Sequence, residues 1–299
     1  MYEKFYGLEK NPFSLLPDPS FFFTSRQHGM ALTLLKYSLM SKHPFTVITG
    51  EVGAGKTTLV NRLLDEVGDR YTIGLINFTD GRVTHFWPWV LRAYGLPFDA
   101  KRSIEMYDTF TRFLVEQNQR GRTTVLIVDE AQNLAQKALE NLRMISNVND
   151  KQTLLQLVLV GQPEFRNTLR RPDFRQLTQR VSVFYRLDPL NVAETKDYIN
   201  HRLRVGGRES TLFTDGAIEM IWRASAGIAR RINTLCDMSL VYGFAGGKEV
   251  IDVDSVRDMI VDRRDLAVPA AAAPAPSLRG AVAPESAASL QVVSELPRR

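Results

Sequence analysis

The chain has 299 residues, 44% of them hydrophobic, and a formal net charge of +5 at pH 7. These proportions exclude a fibrous or wholly disordered protein. The single cysteine, Cys236, excludes an intramolecular disulfide framework and a cysteine-rich zinc site. The N-terminal sequence MYEKFYGLEKNPF carries four charged residues and lacks the apolar core of a signal peptide, and the longest apolar runs are strand-sized. We therefore expect a cytoplasmic protein without a transmembrane segment.

Short apolar runs alternate with amphipathic stretches through the first two thirds of the chain. Runs rich in β-branched residues predict strands at 45–49, 71–78, 124–129, 154–160 and 181–187. Helical periodicity predicts helices at 56–67, 85–94, 107–118, 136–146 and 163–170. Strands that alternate with helices indicate an α/β fold, in which a parallel sheet is covered by helices on both faces.

Beyond Leu190 the pattern becomes entirely helical. Helices are predicted at 191–205, 215–224, 228–244 and 254–263, with Asp215 and Asp254 as N-caps. The last residues are dominated by Ala, Pro and Ser, which cannot bury enough apolar surface to offset their conformational entropy, so we expect a disordered tail. The predicted units are an N-terminal segment and helix (1–43), an α/β core (44–190), a helical subdomain (191–265) and the tail (266–299).

The clearest motif is GEVGAGKT, which matches G-x-x-x-x-G-K-[ST] between a predicted strand and a predicted helix. Its glycines let consecutive backbone N–H groups face an anion, and the helix directs its positive N-terminal end at the same point. Lys56 would contact the β- and γ-phosphates of a nucleotide, and the Thr57 hydroxyl would bind Mg²⁺. The residues predicted to contact the nucleotide here are Gly50, Glu51, Val52, Gly53, Ala54, Gly55, Lys56, Thr57 and Thr58.

Two further strands end in polar residues that suit nucleotide hydrolysis. The strand TTVLIVD ends in Asp129, which would hold Mg²⁺, and Glu130 follows, which would polarise the attacking water. The strand before Gln162 ends beside the predicted phosphate site, so Gln162 either senses the γ-phosphate and positions water or is a turn residue before Pro163.

Together these residues resemble the AAA+ ATPases, and specifically the ExeA-like family tied to general secretion, over about residues 1–262. The resemblance is carried by FYGLEKNPFSLLPDPSFFFTSRQHGMALTLL (5–35), GEVGAGKTTL, VLIVDEAQNL, VLVGQPE and GIARRINTLCDMSL (227–240). It implies a five-stranded core with a helical lid, and ATP with Mg²⁺ bound between them.

The resemblance also implies roles outside the main motifs. Arg230 would be the lid arginine that reaches the γ-phosphate, and Phe13 would be among the apolar contacts of the base. His28 would help to position the nucleotide; the alternative is an exposed residue in the first turn of a helix. Ala229 stands where the family has proline, which could loosen the start of the lid helix.

The positive charge is concentrated in one segment. Residues 166–186 hold six arginines and one aspartate, a net charge of +5 that equals the surplus of the whole chain. The resemblance places here the arginine finger that completes a neighbouring subunit's site, with Arg180 slightly favoured over Arg175. The alternative is a solvated basic face.

These observations favour an oligomeric ATPase that remodels or assembles a secretion or cell-envelope partner. Family members often continue into a transmembrane helix and a peptidoglycan-binding domain; the Ala/Pro tail in their place makes a direct grip on the cell wall doubtful. The alternative is an ATP-gated DNA-binding switch, possible but not favoured because no winged-helix sequence follows the lid. A third interpretation is a nucleotide-dependent scaffold with negligible hydrolysis, against which Glu130 argues.

Overall fold

A computed structural model describes residues 1–16, 18–78, 85–98, 102–149 and 153–263; the tail expected at 266–299 lies outside these ranges. The described strands form one parallel sheet in the order β2-β3-β4-β1-β5. They are β1 (Phe45–Gly50), β2 (Tyr71–Asn77), β3 (Thr123–Asp129), β4 (Leu155–Gly161) and β5 (Val181–Leu187). Every strand end lies within one residue of its predicted position, which confirms the α/β architecture with a parallel sheet.

Burial differs between the central and the edge strands. Every residue of β1 and β4 is buried, and so is every residue of β3 except the first, whereas β5 alternates between buried and exposed positions. This contrast follows from helices covering both faces of the three central strands. One face packs against α1 (Arg26–Met40) and α2 (Lys56–Glu66). The other packs against α3 (Phe86–Ala93), α4 (Ser103–Gln119), α5 (Gln136–Ser146), α6 (Pro163–Leu169) and α7 (Arg175–Thr178).

The predicted helical subdomain is also present. Its helices are α8 (Val192–Val205), α9 (Asp215–Ser225), α10 (Ala229–Ala245) and α11 (Val253–Asp262). They share an apolar core in which Cys236 is fully buried, and burial raises the pKa of its thiol. No helix in the described ranges is both long and apolar enough to span a lipid bilayer.

Two N-caps in this subdomain differ from the prediction. Helix α9 is capped by Thr214, whose hydroxyl accepts from the Ala217 N–H, and Asp215 is its first residue. Helix α11 is capped by Asp252, whose carboxylate accepts from the Ser255 N–H. Aspartate is stabilising both at the N-cap and in the first turn of a helix. The sequence-based prediction therefore placed the two N-caps one and two residues too late.

The N-terminal segment divides between the two cores. Tyr2, Tyr6, Leu8 and Phe13 are buried in the core of the helical subdomain, whereas α1 packs against the sheet. The chain therefore crosses from one core to the other just before α1, and this crossing forms one wall of the site.

Candidate functional site

The loop between β1 and α2 makes a tight turn, in which the Ala54 N–H donates to the Glu51 carbonyl at 3.1 Å. Gly53 and Gly55 have φ angles of +81° and +93°, which favour glycine. A Cβ atom on Gly53 would lie 2.6 Å from the Cβ of Arg230, and one on Gly55 would lie 2.8 Å from Nε2 of His28. The lid and α1 therefore enclose this loop closely, and both glycines are required by space as well as by backbone conformation.

Lys56 is 5% exposed and lies inside the loop. Its ammonium group donates to the carbonyl oxygens of Gly50 at 2.8 Å and Glu51 at 3.0 Å. Burial lowers the pKa of Lys56, and the carboxylates of Glu130 and Asp129 oppose that shift. The ammonium is thus preorganised in a place where phosphate oxygens would be its natural acceptors.

Thr57 and Asp129 meet across the carboxyl edge of the sheet. The Thr57 hydroxyl donates to Oδ2 of Asp129 at 2.6 Å, and the other carboxylate oxygen accepts from the Glu130 N–H at 2.9 Å. Asp129 is 1% exposed. A hydroxyl and a carboxylate side by side, next to a phosphate-binding loop, fit the oxygen ligands that Mg²⁺ prefers, with phosphate oxygens and water completing the set.

Glu130 has a left-handed backbone conformation, and one of its carboxylate oxygens accepts two hydrogen bonds. Its φ of +54° is left-handed, a conformation that costs energy for a residue with a side chain and that concentrates at functional sites. Oε2 accepts from Nε2 of Gln132 at 2.5 Å and from Nε2 of Gln162 at 3.3 Å. The structure therefore brings Glu130 and Gln162 together. It adds Gln132, which sequence analysis missed although it follows the acidic pair by two residues.

His28 is a buried residue that joins α1 to the loop. It is 8% exposed, so it is not an exposed first-turn residue. Its Nε2 lies 3.0 Å from the carbonyl oxygen of Ala54, and Nδ1 lies 2.7 Å from the hydroxyl of Ser25, the N-cap of α1. Because burial lowers its pKa, we assign the neutral tautomer with Nε2–H donating to Ala54.

A cavity of about 380 Å³ lies between the loop, the N-terminal segment and the lid. Its lining outside the loop includes Phe21, Phe22, His28, Glu130, Tyr198, Arg202, Arg230 and Asn233. Arg230 lies at the start of α10, where its backbone N–H donates to the Gly53 carbonyl at 3.2 Å. The cavity thus places the lid arginine directly beside the phosphate-binding loop.

Phe13 does not line this cavity. It is 1% exposed and its ring packs edge-on against Phe213, 6.0 Å away between centroids, in the lid core. Phe21, Phe22 and Phe23 of the same segment line the cavity instead. The sequence offers several phenylalanines close together, and only packing selects which of them face the cavity.

Arg202 is a second residue that sequence analysis missed. It lies on α8, is 7% exposed and lines the cavity. Its guanidinium donates to the carbonyl oxygens of Pro12 and, at 3.2 Å, Ser14, and to the Tyr198 hydroxyl at 3.0 Å. Its charge also lies 4.6 Å from the centroid of the Phe21 ring. One buried arginine therefore ties the N-terminal segment to the lid.

Neither of the two candidate finger arginines lines the cavity of its own chain. Arg180 directly precedes β5, and the strand register pairs Val181 with Phe45 at the amino edge of β1, whereas Gly50 is at the carboxyl edge. That length of strand separates Arg180 from the loop by roughly 17 Å. Its guanidinium donates to Asn147 at 2.7 Å and to Ser146. Arg175 lies exposed on α7.

Comparison with known proteins agrees with this geometry. A family model described as an AAA domain matches residues 39–169. The chain is 37% identical over 84% of its length to General secretion pathway protein A of Aeromonas hydrophila, and it spans 46% of that protein.

Similar solved structures share the fold. The Aeropyrum pernix ORC2 protein, solved as ADPNP–ADP complexes, is 19% identical with a TM-score of 0.62, over 85% of this chain and 72% of that one. Cdc6p from Pyrobaculum aerophilum is 19% identical with a TM-score of 0.63, over 83% and 71%. RuvB from Thermotoga maritima is 20% identical with a TM-score of 0.51, over 81% and 70%.

Proposed function

Because residues 39–169 match an AAA domain model and the chain is similar to general secretion pathway protein A, we propose that it is an AAA+ ATPase that binds ATP with Mg²⁺ in the cavity and hydrolyses it. One observation carries the proposal. Lys56 donates to Gly50 within the phosphate-binding loop, Thr57 donates to Asp129, and Asp129 accepts from the Glu130 N–H. These residues therefore meet at one phosphate-binding loop.

The position of each site residue suggests its role in hydrolysis. The loop N–H groups and Lys56 would hold the β- and γ-phosphates, and Thr57 and Asp129 would hold Mg²⁺, which would neutralise phosphate charge. Glu130 orients the attacking water and accepts its proton. Both amide donors use Oε2 of Glu130, which leaves Oε1 for that proton. Gln162 and Arg230 approach the same region from β4 and from the lid.

The proposal is tested with Glu130→Gln, which keeps the shape of the side chain and removes the base. We expect phosphate release to fall at least about 100-fold, since general-base catalysis contributes that much or more, with ATP affinity retained. Glu116→Gln is the matched control, because Glu116 is exposed and its carboxylate pairs with Arg120. Hydrolysis by Glu130→Gln at the unmodified rate would show that Glu130 is not the base.

We further propose that hydrolysis requires a neighbouring subunit, which supplies Arg180. Two observations support this proposal. Arg180 lies far from the phosphate-binding loop of its own chain, and its guanidinium is held in place by hydrogen bonds to Ser146 and Asn147. Arg180→Ala subunits keep an intact nucleotide site, and Glu130→Gln subunits keep Arg180. We expect a mixture of the two to recover part of the hydrolysis that each variant alone has lost. Absence of any recovery would reject the trans role, and Arg175→Ala in the same assay tests the second candidate.

The relative's name suggests the process that hydrolysis serves. We propose a secretion or envelope-assembly protein as the partner that the oligomer remodels. Capture of such a partner by Glu130→Gln with ATP, and its release by the unmodified protein, is the expected result. Capture independent of nucleotide would contradict a remodelling cycle.

A DNA-binding switch is the second candidate, favoured by a specific observation. Five arginines within 166–186 are exposed: Arg166, Arg170, Arg171, Arg175 and Arg186. Two of them are paired with acids, Arg171 with Asp173 and Arg186 with Asp188. ATP-dependent binding to duplex DNA that weakens steeply with salt would favour this function, and equal binding without ATP would argue against it.

A further inference from the structure

The side-chain amide of Gln132 makes hydrogen bonds through both its nitrogen and its oxygen, to two different residues of the site. Its Nε2 donates to Oε2 of Glu130 at 2.5 Å, and its Oε1 accepts from the backbone N–H of Gln162 at 3.0 Å. Gln162 in turn donates through its side chain to the same oxygen of Glu130 at 3.3 Å. The three residues form a closed ring of hydrogen bonds between the ends of β3 and β4.

The last residue of β4 makes room for this ring. A Cβ atom on Gly161 would lie 3.1 Å from Oε1 of Gln132 and 3.2 Å from the Cβ of Phe165. The Gln132 amide thus packs closely against the backbone of the glycine that ends the strand. A side chain at this position would require Gln132 and Phe165 to shift slightly.

We propose that Gln132 is a positioning residue for hydrolysis, which holds the Glu130 carboxylate towards the cavity and links it to the end of β4. The inference rests on the proposed ATPase function. Without the amide, Glu130 would lose the nearer of its two side-chain donors. Its carboxylate would then rotate among orientations of which only some point an oxygen at the attacking water.

Gln132 also connects the end of β4 to the Glu130 carboxylate. Because Oε1 of Gln132 accepts from the backbone of Gln162, any movement at the end of β4 is transmitted to the Glu130 carboxylate through one side chain. Contact between Gln162 and a terminal phosphate would then be coupled to the orientation of the base. Hydrolysis is thereby tied to the correct seating of the phosphate.

The neighbouring residue provides a matched control. Asn133 is also a half-buried amide, and its Nδ2 donates to the Phe78 carbonyl at 2.7 Å, at the end of β2. Its side chain thus supports backbone rather than the Glu130 carboxylate. Gln132→Ala and Asn133→Ala remove the same kind of group from adjacent positions, one from the ring and one outside it.

The first experiment measures kcat, KM and the affinity for a fluorescent ATP analogue. We expect Gln132→Ala to lower kcat about tenfold or more, as loss of a partner that orients a site residue does, with KM and affinity within about twofold of the unmodified protein. Asn133→Ala should keep the unmodified kcat. An unmodified kcat in Gln132→Ala overturns the proposal, as does an equal loss in Asn133→Ala.

The second experiment measures thermal unfolding and needs no hydrolysis. Gln132→Glu places two carboxylates side by side and should lower the Tm, whereas Glu130→Gln/Gln132→Glu restores an amide-to-carboxylate bond in reverse and should recover most of the loss. A double variant as unstable as Gln132→Glu would show that the two side chains are not in contact. If the unmodified protein does not hydrolyse ATP, the proposed function fails, and the unfolding series still decides whether the contact exists.

Discussion

The two sides of the cavity are built in different ways. The phosphate side consists of consecutive loop residues and of residues at the ends of neighbouring strands, such as Thr57 and Asp129. The lid side joins positions 190 and 235 residues apart, in the contacts of Arg202 with Pro12 and of Tyr2 with Asp237. A short motif can therefore specify the chemistry of the phosphate side, whereas the lid side exists only when two distant segments pack together.

Removing Lys56 should have the largest effect on nucleotide binding, and it tests the phosphate side alone. Lys56→Ala deletes a preorganised ammonium group, so we expect ATP affinity to fall at least about 100-fold, the equivalent of two to three kcal/mol for charged hydrogen bonds. A fluorescent nucleotide titration measures this loss. Lys36→Ala is the control, since Lys36 is half-exposed and pairs with Glu66. Retained affinity in Lys56→Ala would place the nucleotide elsewhere.

Arg202→Met tests the lid side. The substitution keeps apolar bulk but leaves the carbonyl oxygens of Pro12 and Ser14 and the Tyr198 hydroxyl without their donor. We expect the free energy of unfolding to fall by about 2–4 kcal/mol, measured by urea denaturation. Arg204→Met, on the exposed face of the same helix, should change it little. Equal effects of the two substitutions would contradict the assignment of Arg202 as the link between the segments.

His28 joins α1 to the phosphate-binding loop, and the pH dependence that it gives to stability has a defined sign. Its pKa in the folded protein is lowered by burial, so as pH falls below the usual histidine range the unfolded chain takes up a proton that the folded protein does not. Stability should therefore fall between about pH 7 and pH 5. His28→Gln, whose amide can still donate to the Ala54 carbonyl, should weaken this dependence. Unfolding curves across that range give the comparison, and identical slopes would reject the role.

Ala229→Pro should have the smallest effect. Ala229 is the first residue of α10, where proline is favoured, and Ile228 before it has φ −82° and ψ +116°, which a following proline permits. We expect an increase in stability of about 0.4–1 kcal/mol, because the unfolded chain loses freedom. A decrease would show that the start of α10 does not tolerate the fixed proline backbone.

Sequence pattern was sufficient for the sheet because its strands are short apolar runs rich in β-branched residues. The helix starts were less certain, since Thr214 and Asp215 both suit the beginning of a helix and only the Thr214 hydrogen bond distinguishes them. The short helix α7 was not predicted, because four residues carry no helical period.

The sequence by itself determined the phosphate side: the loop Gly50–Thr57, Asp129 and Glu130 are recognisable because their chemistry requires fixed residue types at short spacings. Only the tertiary structure decided that Phe13 belongs to the lid core, that Arg202 joins two segments and that Gln132 lies between Glu130 and Gln162. These roles depend on which side chains meet across the fold. Many residues of the same types occur elsewhere in the chain, and local pattern cannot distinguish them.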